Sequence, residues 1–292
     1  MQTEKILKAG KIAAQVRDYA KKIIEPGMPL LEIAEKIEAK IVSLGGKSAF
    51  PVNLSINDIA AHYTPIPEDK TLALGLLKVD IGVHVDGYIA DTAFTLDLES
   101  SEENKLLIQA AEEALENAIN ITNKDTKLKD IGKVIEETIS SKGFTPIINL
   151  SGHEMQPYDL HAGITVPNID NKQEGKIGTG LFAIEPFSTT GSGRVYDGKP
   201  STIYQLLEPK MPRSNDARKI LSFIQEEYDT LPFCSRWIFK KFGVKALIAL
   251  KQLEDAGIIH QYQMLVESGH GKVAQAEHTI LIEKDNVKVT TG

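Results

Sequence analysis

The chain of 292 residues is 42% hydrophobic and 25% charged, carries a net charge of −7 and contains one cysteine, Cys234. This balance suits a soluble globular protein of one large or two ordinary domains, and its acidity argues against nucleic acid as the main partner. A lone cysteine excludes an internal disulfide and fits a reducing cytoplasm; no run reaches the roughly 20 apolar residues of a membrane span, and the charged amphipathic start is no signal peptide.

In chain order, Ile6, Ala9, Ile12, Ala13, Val16 and Ala20 recur at helical spacing and predict a helix over residues 3–24. EPGMPL breaks it, and Leu30 to Leu44 reads as a second helix ended by Gly45 and Gly46. AFPVNLSINDIAAHYTP is strand and loop material. A hairpin follows at Lys78 to Phe94. Glu102 to Ile121 is a further amphipathic helix with Ser100 or Ser101 as its cap, and Lys129 to Ser141 is a shorter one. PIINLSGHEMQPYDLHAG reads as strand then polar loop, and GLFAIEPFSTTGSG as an apolar strand running into a Gly/Ser loop. The composition then changes. Residues 195–265 hold three helical stretches, the only tryptophan and a basic set, Arg218, Lys219, Arg236, Lys240, Lys241 and Lys245, which reads as the insert's solvated face rather than a nucleic-acid surface. AQAEHTILI returns to strand. Helices and strands in two successive groups predict an α+β domain in two halves with a small helical insert.

The hairpin KVDIGVHVDGYIADTAF holds two acids among apolar residues. Asp86–Gly87 is a strong two-residue turn signal. It pairs Val85 with Tyr88, Gly82 with Asp91 and Asp80 with Ala93. Asp80 and Asp91 then share one face as diagonal neighbours, with Gly82 expected to leave the space between them empty. Val79, Ile81, Val83, Tyr88, Ala90 and Phe94 face the core. Two facing carboxylates repel, and either a cation or a proton relieves them. Exposure or a salt bridge at a sheet edge would do so as well. Further on, His153, Glu185 and Glu277 stand in or beside apolar strand segments. Asp, Asp, His, Glu and Glu suit one or two divalent ions such as Mn, Fe, Co or Zn. His278 alternates with Glu277 and should point away. His84 reads as solvated, and His260 and His270 as loop residues.

FPVNLSINDIAAHYTP, VDIGVHVDGYIADTAFT, NLSGHEMQPYDLHAG, FAIEPFSTTGSG and AQAEHTILI together resemble, in sequence and order, the motifs of type II methionine aminopeptidases of the compact archaeal kind. The resemblance implies a pita-bread fold with two pseudo-symmetric halves. Residues 1–194 plus 266–292 would be the catalytic domain and 195–265 a winged-helix-like insert. It implies two divalent metal ions held by Asp80, Asp91, His153, Glu185 and Glu277, with Asp91 and Glu277 bridging. His62 and His161 would contact the substrate and steady the developing oxyanion. Glu185 would shuttle the proton, and Phe50 and Tyr262 would wall the methionine pocket. Two departures are the missing proline pair after Tyr262 and Ala276 where many relatives have Phe.

The implied activity is release of the initiator methionine from nascent chains with a small second residue, by attack of a metal-bridging hydroxide on the first peptide bond. A cytoplasmic monomer, with ribosome proximity, goes with it. Gln2 is too large for that rule, so Met1 should be retained. Prolidase and aminopeptidase P share the five ligands, but their motifs around the substrate histidines differ. A non-catalytic ribosome- or nucleic-acid-associated relative would have lost ligand residues, and none is lost here.

Overall fold

A computed structural model describes residues 2–208, 210–284 and 286–292, so the expectation for Met1 falls outside the described residues. Helix α1 (Thr3–Ile23) buries Ile6, Ala9, Ile12, Ala13, Val16 and Ala20, the stripe that the spacing defines. Helix α2 (Leu30–Ser43) stops where Gly45 turns left-handed at φ +80. Gly45 N–H then donates to Val42 O, and Gly46 N–H to Ile41 O. These two bonds are the glycine-terminated helix end, which satisfies carbonyls the helix leaves over.

Strands β1 (Lys47–Ser48), β2 (Asn53–Ile56), β3 (Ile59–Ala61), β4 (Leu76–Val85) and β5 (Tyr88–Asp97) follow. The β4–β5 hairpin has the expected register: Val85 opposes Tyr88, Gly82 opposes Asp91 and Asp80 opposes Ala93. Asp86 and Gly87 have φ of 49 and 86, the twist a two-residue hairpin turn needs. Val79, Ile81, Val83, Ala90 and Phe94 pack under α1 and α2. Each of the larger side chains among them is worth on the order of 1.5–3 kcal/mol of burial.

The second half repeats the plan. Helix α3 (Glu102–Ile121) is capped by Ser101, whose side chain accepts from Asn104 N–H, and α4 (Leu128–Ser141) follows. Next come β6 (Thr145–Pro146), β7 (Ser151–Met155), β8 (Thr165–Pro167), β9 (Gly180–Ile184) and β10 (Phe187–Thr189).

The segment that interrupts the second half after β10 contains the three helices expected, α5 (Asn215–Glu227), α6 (Ser235–Phe242) and α7 (Lys245–Asp255). It also contains strands the periodicity did not separate: β11 (Val195–Leu206), β12 (Phe233–Cys234) and β13 (Ile259–Glu267). Strand β13 pairs with β11 and with β3, so this unit is sewn to the first half. His260 therefore lies on a strand rather than in a loop. Arg236 is not part of a solvated basic face. It is 4% exposed, and it grips Glu38 of α2 through two bonds of 2.7 Å each, with Nε on Pro65 O.

The chain returns through β14 (Val273–Gln275), β15 (His278–Glu283) and β16 (Asn286–Val289). Strands β16, β15, β9, β7 and β8 form the second half's sheet in that order. The two halves meet edge to edge at β5 and β15. Glu277 N–H donates to Ala93 O at 3.0 Å, and Thr92 Oγ1 donates to Glu277 O at 2.9 Å. Thr279 Oγ1 accepts from Asp91 N–H and donates to Asp91 O.

Candidate metal centre

All nine residues singled out in the sequence line one cavity of about 360 Å³: Phe50, His62, Asp80, Asp91, His153, His161, Glu185, Tyr262 and Glu277. Each half supplies a carboxylate pair from an antiparallel strand pair. Asp80 and Asp91 stand on β4 and β5. Glu185 follows β9 and Glu277 precedes β15, one step beyond the last ladder pair, His278 with Ile184. His153 projects from β7 opposite Ala183 of β9.

His153 Nε2 lies 3.7 Å from Asp91 Oδ2 and 3.6 Å from Glu185 Oε1. Asp91, His153 and Glu277 each offer a ligand atom within 4.8 Å of the others. Burial lifts the Asp80 carboxyl to about 7. Burial, then repulsion from neighbouring carboxylates, pushes Asp91, Glu185 and Glu277 well above the usual range. Burial and nearby His161 hold His153 down at about 3, so its imidazole is neutral, the form that ligates a metal. Asp80 Oδ1, Asp91 Oδ1 and Glu277 Oε2 are buried acceptors with no hydrogen bond among the described residues. A divalent cation fits this donor set. It would satisfy those acceptors and reverse the repulsion that raises the carboxyls.

Gly82 makes room, but not for an ion. A β-carbon there would lie 2.3 Å from the Phe50 ring, so the glycine seats that ring against the strand. His84 is not solvated. It is 4% exposed, and its Nδ1 accepts the Gly87 N–H of the turn. His278 points away from the cavity, as its parity requires, and is held by Thr291. His270, in the loop after β13, sits 2.8 Å from Asp58 Oδ2.

His62 has a left-handed backbone, φ 66, uncommon for a residue with a side chain. Its Nδ1 lies 3.0 Å from Gln263 O. A carbonyl only accepts, so Nδ1 carries the proton and Nε2 keeps a lone pair. Burial holds this imidazole at a pKa of about 4. His161 is exposed at the rim, with its ring centroid 4.5 Å from that of His153.

Several contributors were not singled out beforehand. Asn168 Nδ2 donates to Leu150 O and Glu185 O, fixing the backbone that presents Glu185. Thr92 and Thr279 hold Asp91 and Glu277 against one another. Ile203, Pro232 and Leu265 bring one wall from the β11–β13 unit. The only local signal was a threonine close behind an acid in both halves, ADT and EHT.

The fold and this carboxylate-lined cavity define a metallopeptidase: the chain belongs to metallopeptidase family M24, whose profile matches residues 4–284. Within that family its full-length likeness is to the methionine aminopeptidases. It is 49% identical to the methionine aminopeptidase of Pyrococcus abyssi over 296 residues, covering 100% of both chains. The fold is similar to that of the methionine aminopeptidase of Thermotoga maritima, at 24% identity and a TM-score of 0.72, over 99% of this chain and 95% of that one. It is also similar to a thermophilic Arx1, at 17% identity and a TM-score of 0.84, over 99% and 90% of the two chains. The expected pita-bread architecture is thus the observed one.

Proposed function

We propose that this chain releases the initiator methionine from nascent proteins with a small second residue, by hydrolysing the first peptide bond. The observation that carries the reading is the convergence of five ligand-type residues from both halves on one cavity that also holds two histidines and an aromatic wall. The full-length likeness to methionine aminopeptidases favours it over the proline-specific peptidases and over a non-catalytic role.

Asp80, Asp91, His153, Glu185 and Glu277 would hold two divalent ions, with Co, Mn, Fe and Zn all suited to the donor set. Such ions polarise a carbonyl and make water nucleophilic near neutral pH. His62, neutral and with its lone pair on Nε2, accepts a peptide N–H of the substrate. It cannot donate to an oxyanion, which narrows the role expected from the sequence and leaves that donation to His161. Glu185, a carboxylate at the edge of the ligand set, would take a proton from the attacking water and pass it to the leaving amine. Phe50, seated on Gly82, and Tyr262, whose hydroxyl donates to Gln205 Oε1, form the walls for the methionine side chain.

In this reading residues 1–194 plus 266–292 are the catalytic domain and 195–265 the insert. A separate core of Ile220, Ile224, Phe233, Leu250 and Leu253 supports that division. The same reading has the chain act as a cytoplasmic monomer near the ribosome. No helix among the described residues is long and apolar enough to cross a membrane.

Methionine release from a Met-Gly-Ser peptide, with Mn or Co supplied, should be abolished by a chelator. No chelator-sensitive release with any of the four metals would overturn the reading. His153→Ala should lower both metal content and turnover, the latter on the order of 100-fold or more. Unchanged metal content would overturn the ligand assignment while leaving the activity standing.

A further inference from the structure

Behind the carboxylate cluster lies a second cavity, of about 500 Å³, that the proposed reaction does not use. Glu277 lines both cavities, so only the segment bearing it, between β14 and β15, separates them there. Phe94, Leu115, Ile119 and Ala276 give the second cavity its apolar wall. The space depends on residue 276 being small, since Ala276 directly precedes Glu277 and ends at its β-carbon.

Charge gives this space a polarity. Arg17 and Lys21 of α1 stand on one side with His278. Arg17 Nη1 donates to Thr291 O at 2.6 Å and lies 3.3 Å from His278 Nδ1, and the carboxylate nearest its guanidinium among the described residues is Asp18, at 3.7 Å. Lys21 makes no ion pair among the described residues, and its ammonium sits 5.1 Å from the centroid of the Phe94 ring. Thr291 Oγ1 accepts from Thr279 N–H, which leaves its own proton for His278 Nδ1 at 2.9 Å. His278 therefore bears its ring proton on Nε2 and keeps a donor to spare. Across the cavity Glu112 and Glu116 stand one turn apart on α3. They repel a second negative charge and so disfavour dicarboxylates and phosphates.

We propose that this cavity is a binding site for an amphipathic monocarboxylate: its head group meets Arg17, Lys21 and His278, and its hydrocarbon tail lies along Phe94, Leu115, Ile119 and Ala276. Two under-compensated cations and an N–H donor beside a hydrocarbon wall match that chemistry.

Calorimetric titration of the whole chain with octanoate tests it, run in chelator so that the carboxylate cluster holds no metal. One binding event is expected. Ala276→Phe, which fills the space, and Lys21→Glu, a change at an exposed position, should each weaken it about tenfold or more. Octanol, octylamine and suberate should bind at least about tenfold more weakly than octanoate. The proposal is overturned if octanol binds as tightly as octanoate, if Lys21→Glu leaves octanoate binding unchanged, or if no heat appears up to about 10 mM. Should Ala276→Phe fail to fold, the Lys21→Glu comparison and the octanol control still decide.

Discussion

At the scale of single residues, Gly82 shows how one position can be right in register and misread in purpose. Period-two alternation and the Asp86–Gly87 turn place it opposite Asp91 from local rules alone. What fills the space above it is Phe50, which reaches it through tertiary packing that no local rule contains. Gly82→Ala would bring a β-carbon to 2.3 Å from that ring. The expected cost is about 1–3 kcal/mol of stability, with a raised KM for methionyl peptides as Phe50 is displaced; urea melts and peptide kinetics measure the two. His84 was misread for the same kind of reason. Its turn-proximal place suggested solvent, whereas the turn's own Gly87 N–H covers its Nδ1.

At the scale of elements, helices with a clean apolar stripe were legible and the long strands of the insert were not. Strand β11 contains Gly198 and Pro200, and its pairing with β13 shifts register around Pro200. These residues read as breaks in sequence, yet in a sheet they mark irregularities a strand tolerates. The basic character of the insert misled as well, because Arg236 spends its charge inward on Glu38. Arg236→Met would strand that carboxylate in a largely buried place, at a cost of about 3–5 kcal/mol. The double change Glu38→Met with Arg236→Met should recover most of the loss, since removing both charges also removes their desolvation cost. Equilibrium unfolding of the two variants checks this.

At the scale of the whole molecule, the five ligand-type residues were each visible as polar groups in apolar company. Their assembly was visible only through resemblance, since no periodicity relates Asp80 to Glu277. Burial also makes the fold sensitive to acid. His84 is held at about 4 by burial, then by Lys47, against an ordinary value of 6.5. Between those values the unfolded chain binds a proton that the folded chain refuses, so stability present at neutral pH is lost as pH falls from about 6.5 towards 4. His84→Asn keeps an acceptor for Gly87 N–H but does not titrate. It should flatten the acid limb of a stability profile by up to about 3 kcal/mol. An unchanged limb would show that His84 takes up its proton equally in both states.

The hydroxyl of Thr279 reaches across the divide to hold both the N–H and the C=O of Asp91. The Asp91 amide is therefore shielded from solvent deuterium by a residue 188 positions away. It can exchange only when the halves part. Its protection factor is a gauge of that opening, and it should rise when divalent ions are added, although no ion touches the amide itself.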